Sequence, residues 1–379
     1  MAGPLAGVRV IEMAGLGALP FGALKLAEMG AEIVRVERPG AVPVDPSPAP
    51  QNAWDCGRRS IAVDLKHQDG AATVVRLAEQ ADVLLESFRP GVMERLGLGP
   101  DVLLGRRPVL VYGRLSGWGQ TGPLAAAAGH SLNYEALSGF IRAVGPPGGP
   151  PVPVLQVVGD FAAGGMHLAF GVVCALLEAR RSGQGQVVDV AMSDGVASLV
   201  GTYYAMHALG LHGDDLGTNL FDGGAPFYAV YETADGGFVS VGAIEPQFYS
   251  LLLERLEIDP ATLPAQHDRS GWPEVRRHLA AAFRSRSRDE WCRLLEGSDA
   301  CFAPVLTFSE ARRHPHHVAR GVFGDGDLGG VRPTPRLDRT PGSPGPSPAW
   351  PGADTDAVLR AYGFSPDEIE RLRSVRAIR

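Results

Sequence analysis

Residues 8–37 read VRVIEMAGLGALPFGALKLAEMGAEIVRVE, and this stretch decides the fold. Val8 to Met13 is a short apolar run of strand character. Gly15-Leu16-Gly17-Ala18-Leu19-Pro20 is a glycine-rich turn, an amphipathic stretch follows through Ala31, and Ile33 to Glu37 is the next strand. Strand, helix and strand in so short a span make a β-α-β unit, whose strands run parallel. The rhythm continues outward. Asp69 to Ala81 has helical periodicity, Val83 to Glu86 and Pro108 to Leu115 read as strands, and Asp160 to Arg181 reads as a long apolar helix ended by Ser182-Gly183-Gln184-Gly185. Gln186 to Met192 is a further strand. The pattern predicts an α/β protein with a Rossmann-like, doubly wound parallel sheet.

Beyond it the character changes. Leu211 to Gly224 is rich in Gly, Asp and Asn without periodicity, which suggests a linker. Ala229 to Glu232 and Gly237 to Ala243 read as strands paired across Thr233-Ala234-Asp235-Gly236. Helical patterns follow near Gln247 to Leu256, Trp272 to Phe283 and Arg288 to Leu295. Val331 to Ala353 is proline-rich, and Thr355 to Leu372 is helical in pattern, with Ser365-Pro366-Asp367-Glu368 as a helix start. The domains expected are a large one over 1–210, a linker over 211–224, a small α+β domain over 225–330, a return linker over 331–353 and a C-terminal helix over 354–379.

Bulk properties exclude several classes. A chain of 379 residues suits two domains, and 45% hydrophobic with 20% charged residues is ordinary for a folded protein. A net charge of -7 argues against nucleic acid as the main partner. No run of about 18 apolar residues is seen, so no membrane span is expected; nor is a signal peptide. Cys56, Cys174, Cys292 and Cys301 have neither metal nor disulfide spacing, so a reduced, cytoplasmic protein without a metal is expected.

Three ionisable residues stand in telling contexts: His130 in Ala128-Gly129-His130-Ser131-Leu132-Asn133-Tyr134, Asp160 in Val157-Val158-Gly159-Asp160-Phe161, and Glu245 in Gly242-Ala243-Ile244-Glu245-Pro246-Gln247-Phe248-Tyr249. An imidazole and a carboxyl facing each other across a carbon acid can take a proton from one face and return it to the other. Each has a duller account: a lone His is most often structural, and a carboxylate opening a helix is most often an N-cap. The turn at Gly15–Pro20, with Glu37 after it, has the outline of a dinucleotide-binding turn. Pro20 replaces its third glycine and Arg38 follows Glu37, so a tight strand-to-helix turn is the better account.

These segments resemble the α-methylacyl-CoA racemase branch of the family III CoA-transferase (CaiB/BaiF) superfamily, over nearly the whole chain. Val34-Arg35-Val36-Glu37-Arg38-Pro39, Val63-Asp64-Leu65-Lys66, Ser87-Phe88-Arg89-Pro90-Gly91-Val92 and Glu94-Arg95-Leu96-Gly97 carry the likeness, as do Ser116-Gly117-Trp118-Gly119-Gln120-Thr121-Gly122-Pro123, Asn219 and Asp222 to Tyr228. The resemblance implies His130 and Asp160 as the two catalytic groups, with Glu245 of the partner subunit orienting His130. It implies an acyl-CoA substrate held by Arg38, Val63 to Lys66, Ser87, Phe88, Arg89, Arg95, Gly129 and Ser131 to Tyr134, the arginines meeting CoA phosphates; Arg58 and Arg59 belong to the same basic set. It implies an interlocked homodimer, an enolate held by amides near the start of the Asp160 helix, and no cofactor beyond the CoA of the substrate. Met192, Met206, Leu220 and Phe221 are candidates for the acyl surface.

Two residues depart from the pattern: Ser131 stands where these racemases carry Asp, and Gln156 where they carry Asn. The first removes a negative charge beside His130. Two other readings stay open: a CoA transferase with Asp160 as nucleophile, and an acyl-CoA-binding homologue without turnover.

Overall fold

The computed structural model describes residues 3–44, 53–324 and 330–379. They divide into two compact units. One comprises the residues up to Ser138, Val154–Leu199 and Val322–Arg379, and the other Gly139–Pro153 and Val200–Gly321.

The first unit is built on β1 (Arg9–Met13), β2 (Glu32–Glu37), β3 (Arg58–Ala62), β4 (Val83–Glu86), β5 (Val111–Ser116) and β6 (Val187–Ala191). Their order across the sheet is β3-β2-β1-β4-β5-β6, and each neighbouring pair is parallel. The order reverses between β1 and β4, so the crevice outside their carboxyl ends is where an open α/β sheet takes its ligand. Side chains alternate between two core layers. Val10, Ile33, Val83, Leu85 and Val111 meet the helices Ala18–Glu28 and His167–Ser182. Ile11, Met13, Val34, Val36 and Leu84 meet the helix Gln68–Ala78 and the C-terminal residues Val358, Leu359, Ile369 and Leu372. Burial on both faces explains why the strands read as nearly continuous apolar runs.

The second unit holds the antiparallel sheet β7 (Tyr228–Glu232), β8 (Phe238–Gly242) and β9 (Phe302–Pro304). The expected hairpin forms, with Thr233 N–H donating to the Gly237 carbonyl. Helices Pro246–Arg255, Trp272–Phe283 and Arg288–Leu295 cover a core that includes Phe227, Tyr231, Trp272, Phe283 and Trp291.

Four expectations change in detail. The unit boundary lies at 199/200 rather than 210/211, and residues 139–153 go with the second unit, because contacts rather than composition define it. Residues 211–224 are not a bare linker. Asn219 is 1% exposed, and its amide side chain donates to the Gly213 carbonyl and to Asp222, while Asp222 accepts from the amides of Gly217, Asn219 and Gly224. The C-terminal segment is two helices, Thr355–Ala361 and Pro366–Ser374. Their boundary is the capping box of Ser365 and Glu368, which starts a new helix rather than continuing the old one.

The Asp160 segment begins with wide turns over Val157–Met166 before becoming α-helical at His167–Ser182. The whole run Val157–Ser182 is long and apolar enough, by length and composition, to cross a membrane, although polar and small residues interrupt it. It packs against β5 and the helix Ala18–Glu28. Among the described residues all four cysteines are free.

Candidate active site

At the carboxyl ends of β1, β4 and β5 lies a cavity of about 610 Å³. Its walls are the loops that leave those strands (Ala14 to Leu19, Ser87 to Pro90, Leu115 to Trp118), together with Gly129, His130, Tyr134, Asp160 and Met192. The structure thus brings His130 and Asp160 into one cavity, and Ser87, Phe88, Arg89, Gly129 and Tyr134 join them.

His130 is the residue before the helix Ser131–Leu137 and has extended backbone, φ -132° and ψ 171°. Its amide donates to Asn133 Oδ1 at 3.0 Å, which fixes the ring's point of departure. Tyr134 anchors the same helix. It is 4% exposed, its hydroxyl donates to the Gly129 carbonyl, and its ring meets Trp118 edge-on at 4.7 Å. The imidazole itself is exposed to the cavity.

Asp160 is held differently from the sequence expectation. It is not an N-cap but sits inside the wide turns, its amide donating to the Gln156 carbonyl at 3.1 Å and to Ser131 Oγ at 3.2 Å. Those turns are pinned by Phe161, stacked on Phe21 at 4.7 Å and met edge-on by Trp54 at 5.2 Å. Gly17, at φ +65° and ψ -109°, faces the carboxylate: a Cβ there would lie 3.0 Å from Asp160 Oδ2. Few residues but glycine adopt that backbone, and none other leaves the carboxylate its room. Burial first, and then the charge of Glu135, push the Asp160 carboxyl above its ordinary range, while His130 pulls it down.

Glu135 was not singled out from the sequence. It is 0% exposed, and its Oε1 accepts from Ser131 Oγ at 2.8 Å and from the Gly159 amide at 2.9 Å. A Ser–Glu pair four residues apart in a helical pattern was the only signal available, and such pairs are usually solvated. Near the start of the Asp160 segment, where amides were expected to hold an enolate, those of Gly159, Asp160 and Phe161 already donate to Glu135, to Ser131 and Gln156, and to Gln156 respectively.

The loop after β4 is positioned from beneath. Glu86, 1% exposed, accepts from the Phe88 amide at 2.7 Å and pairs with Arg114 at 2.9 Å, and Arg114 also holds Glu94 at 2.9 Å. Burial pushes the Glu86 carboxyl up against the pull of Arg114.

The other expected residues lie apart from the cavity lining. Arg38, Lys66 and Arg95 are exposed after β2, β3 and β4. Val63 is fully buried, Asp64 accepts from the Lys66 amide at 3.0 Å, and Leu65 packs on the core. Leu132 and Asn133 face outward and Ser131 is 6% exposed. Arg58, grouped with the CoA-binding set, is buried instead: it pairs with Glu12 and donates to the carbonyls of Trp54, Cys56 and Pro20. Four of its five N–H donors are so engaged, and the buried side chain is not presented to a phosphate. Glu245 belongs to the second unit, exposed at the head of the helix Pro246–Arg255. Of the acyl-surface candidates, Met192 lines this cavity, whereas Phe221 lines a separate one in the second unit. Among the described residues no cluster of His, Cys, Asp and Glu is arranged to hold a metal.

Comparison with known proteins follows the same line. The chain matches CoA-transferase family III over residues 5–356. It is 46% identical over 378 residues to the alpha-methylacyl-CoA racemase of Mus musculus, covering 99% of this chain and 97% of that protein. It is 44% identical over 377 residues to that of Homo sapiens, covering 99% and 97%. The solved structure of a CAIB/BAIF family protein from Brucella suis superposes with a TM-score of 0.82, covering 96% of this chain and 100% of that one; at 22% identity this likeness shows the fold alone.

Proposed function

The chain belongs to CoA-transferase family III, and on that premise we propose that it is an isomerase, inverting C2 of 2-methylacyl-CoA thioesters by 1,1-proton transfer. The observation that carries this reading is the cavity shared by the His130 imidazole and a carboxyl, Asp160, displaced towards its protonated form. An acid and a base opposed across one carbon are what inversion needs. A transferase would need Asp160 as an ionised nucleophile, the form that burial and Glu135 disfavour.

Neutral His130 removes the proton from C2, and the electron pair moves into the thioester carbonyl to give the enolate. Asp160 then delivers its proton to the opposite face, and the pair returns to C2. The reverse direction exchanges the two roles. Arg89, exposed on the cavity wall, supplies positive charge for the CoA phosphates. Both proton-moving groups are side chains, so the reaction as proposed calls for no metal and no redox cofactor. The partner subunit's Glu245 is assigned to orienting His130.

The test is incubation of a single C2 epimer of a 2-methylacyl-CoA in D₂O, with deuterium at C2 and configuration followed together. Deuterium uptake with inversion is expected, and His130→Ala should abolish it. No exchange, together with an acyl-enzyme trapped by hydroxylamine, would sink the reading in favour of CoA transfer.

A further inference from the structure

Ser131 poses a problem for the racemase reading, because the resembling enzymes place an aspartate there and this chain places a neutral hydroxyl. The nearest buried carboxylate lies one helical turn further on. Glu135 is fully buried, accepts from Ser131 Oγ at 2.8 Å and from the Gly159 amide at 2.9 Å, and its Oε2 has no hydrogen-bond partner. The same Ser131 oxygen accepts from the Asp160 amide at 3.2 Å. Gly159 lets this contact exist, since a Cβ there would sit 2.4 Å from Ser131 Oγ and 3.0 Å from Glu135 Oε1.

We propose that Glu135 is a positioning residue for this reaction: linked to the Asp160 turn through the Ser131 hydroxyl and the Gly159 amide, its carboxylate keeps the catalytic proton on Asp160. The inference rests on the racemase reading and assigns to Glu135 the negative charge that position 131 lacks. A buried carboxylate tied to the backbone beside Asp160 disfavours a second negative charge there, so Asp160 holds its proton more tightly than a lone aspartate would. Two hydrogen bonds hold the Glu135 carboxylate in place beneath the Asp160 turn.

Of the groups that face Asp160, His130 acts against the retained proton, and Tyr134 and Arg89 line the same cavity. On the helices packed against the Asp160 turn, Lys25 is paired with Glu28 at 2.9 Å, and Asp194 accepts from Ser193 Oγ at 3.1 Å. His167 Nδ1 is hydrogen-bonded to the Ala162 carbonyl at 2.8 Å.

The experiment compares pH–rate profiles of C2 proton exchange for the wild type, Glu135→Gln and Glu135→Asp. Glutamine keeps the acceptor for Ser131 and Gly159 and removes the charge. Its profile should move to lower pH, and the aspartate variant should retain the wild-type position. A Glu135→Gln profile that loses rate without moving would overturn the inference while leaving the racemase reading intact; no exchange by the wild type at any pH would instead remove that reading. Infrared spectroscopy decides the case even if the glutamine variant fails to fold. The wild type at neutral pH should show a carboxylic-acid C=O band that disappears in Asp160→Asn. Absence of that band in the wild type would overturn the inference.

Discussion

Asp160 is the residue whose environment works against its own charge, and that has a cost visible in stability as well as in catalysis. Its carboxyl is raised by burial and by Glu135. The folded protein therefore binds the proton more tightly than the unfolded chain does. A group of this kind contributes stability that is complete below the ordinary carboxylate range and is lost as pH rises through the folded value. Asp160→Asn does not titrate, so its melting temperature relative to the wild type should climb from acid towards neutral pH. A difference between the two that stays constant with pH would refute the assignment. Asp160 and His130 stand out in their local sequence, because small residues and glycines surround both, and the structure places both on one cavity. Glu135 was not legible, since Tyr134-Glu135-Ala136-Leu137 reads as an ordinary helix with one solvated charge. Its burial depends on Gly159, 24 residues away, and no local pattern carries that information.

Elements were easier to read than their interiors. The strands and helices of the parallel sheet announce themselves by apolar runs and glycine turns, yet the segment that delivers Asp160 was expected to be one α-helix. Over Val157–Met166 it forms wider turns, and its run of small residues, Ala162-Ala163-Gly164-Gly165, has no period that separates one helical form from another. The basic residues around β3 failed in a different way. Arg58 at the start of β3 was grouped with the phosphate-binding set by resemblance, but it pairs with Glu12 on β1, two strands away in the sheet, and both are buried. Such a pair resists removal of one partner because the other stays charged without compensation. Arg58→Ala should lower the unfolding free energy by about 3–5 kcal/mol in chemical denaturation. A loss of the size seen for exposed pairs, below about 1 kcal/mol, would return Arg58 to the set of available cations.

At the scale of the whole molecule, the decisive question is whether the partner subunit's Glu245 completes the site, as proposed. The two-unit division could be sensed from the change in composition after residue 210, although contacts set it at 199/200. The pairing of subunits could be expected only from the family, because composition does not encode who covers an apolar face. That face exists: Phe170, Val173 and Leu177 on the helix His167–Ser182 are all exposed large apolar residues, a stripe that a homodimer would bury. If the partner subunit's Glu245 completes each site, two inactive variants should complement one another. His130→Ala and Glu245→Ala, co-expressed with different tags and purified through both, form mixed dimers. One site in each mixed dimer carries both substitutions and the other carries neither, so the doubly tagged fraction should recover about half of the wild-type rate per dimer. Were Glu245 to act within its own chain, every site in the mixed dimer would carry one substitution, and the fraction would be as inactive as its parents. A recovered rate thus assigns Glu245 to the opposite chain, and its absence, with both parents folded and dimeric, assigns it to the same one.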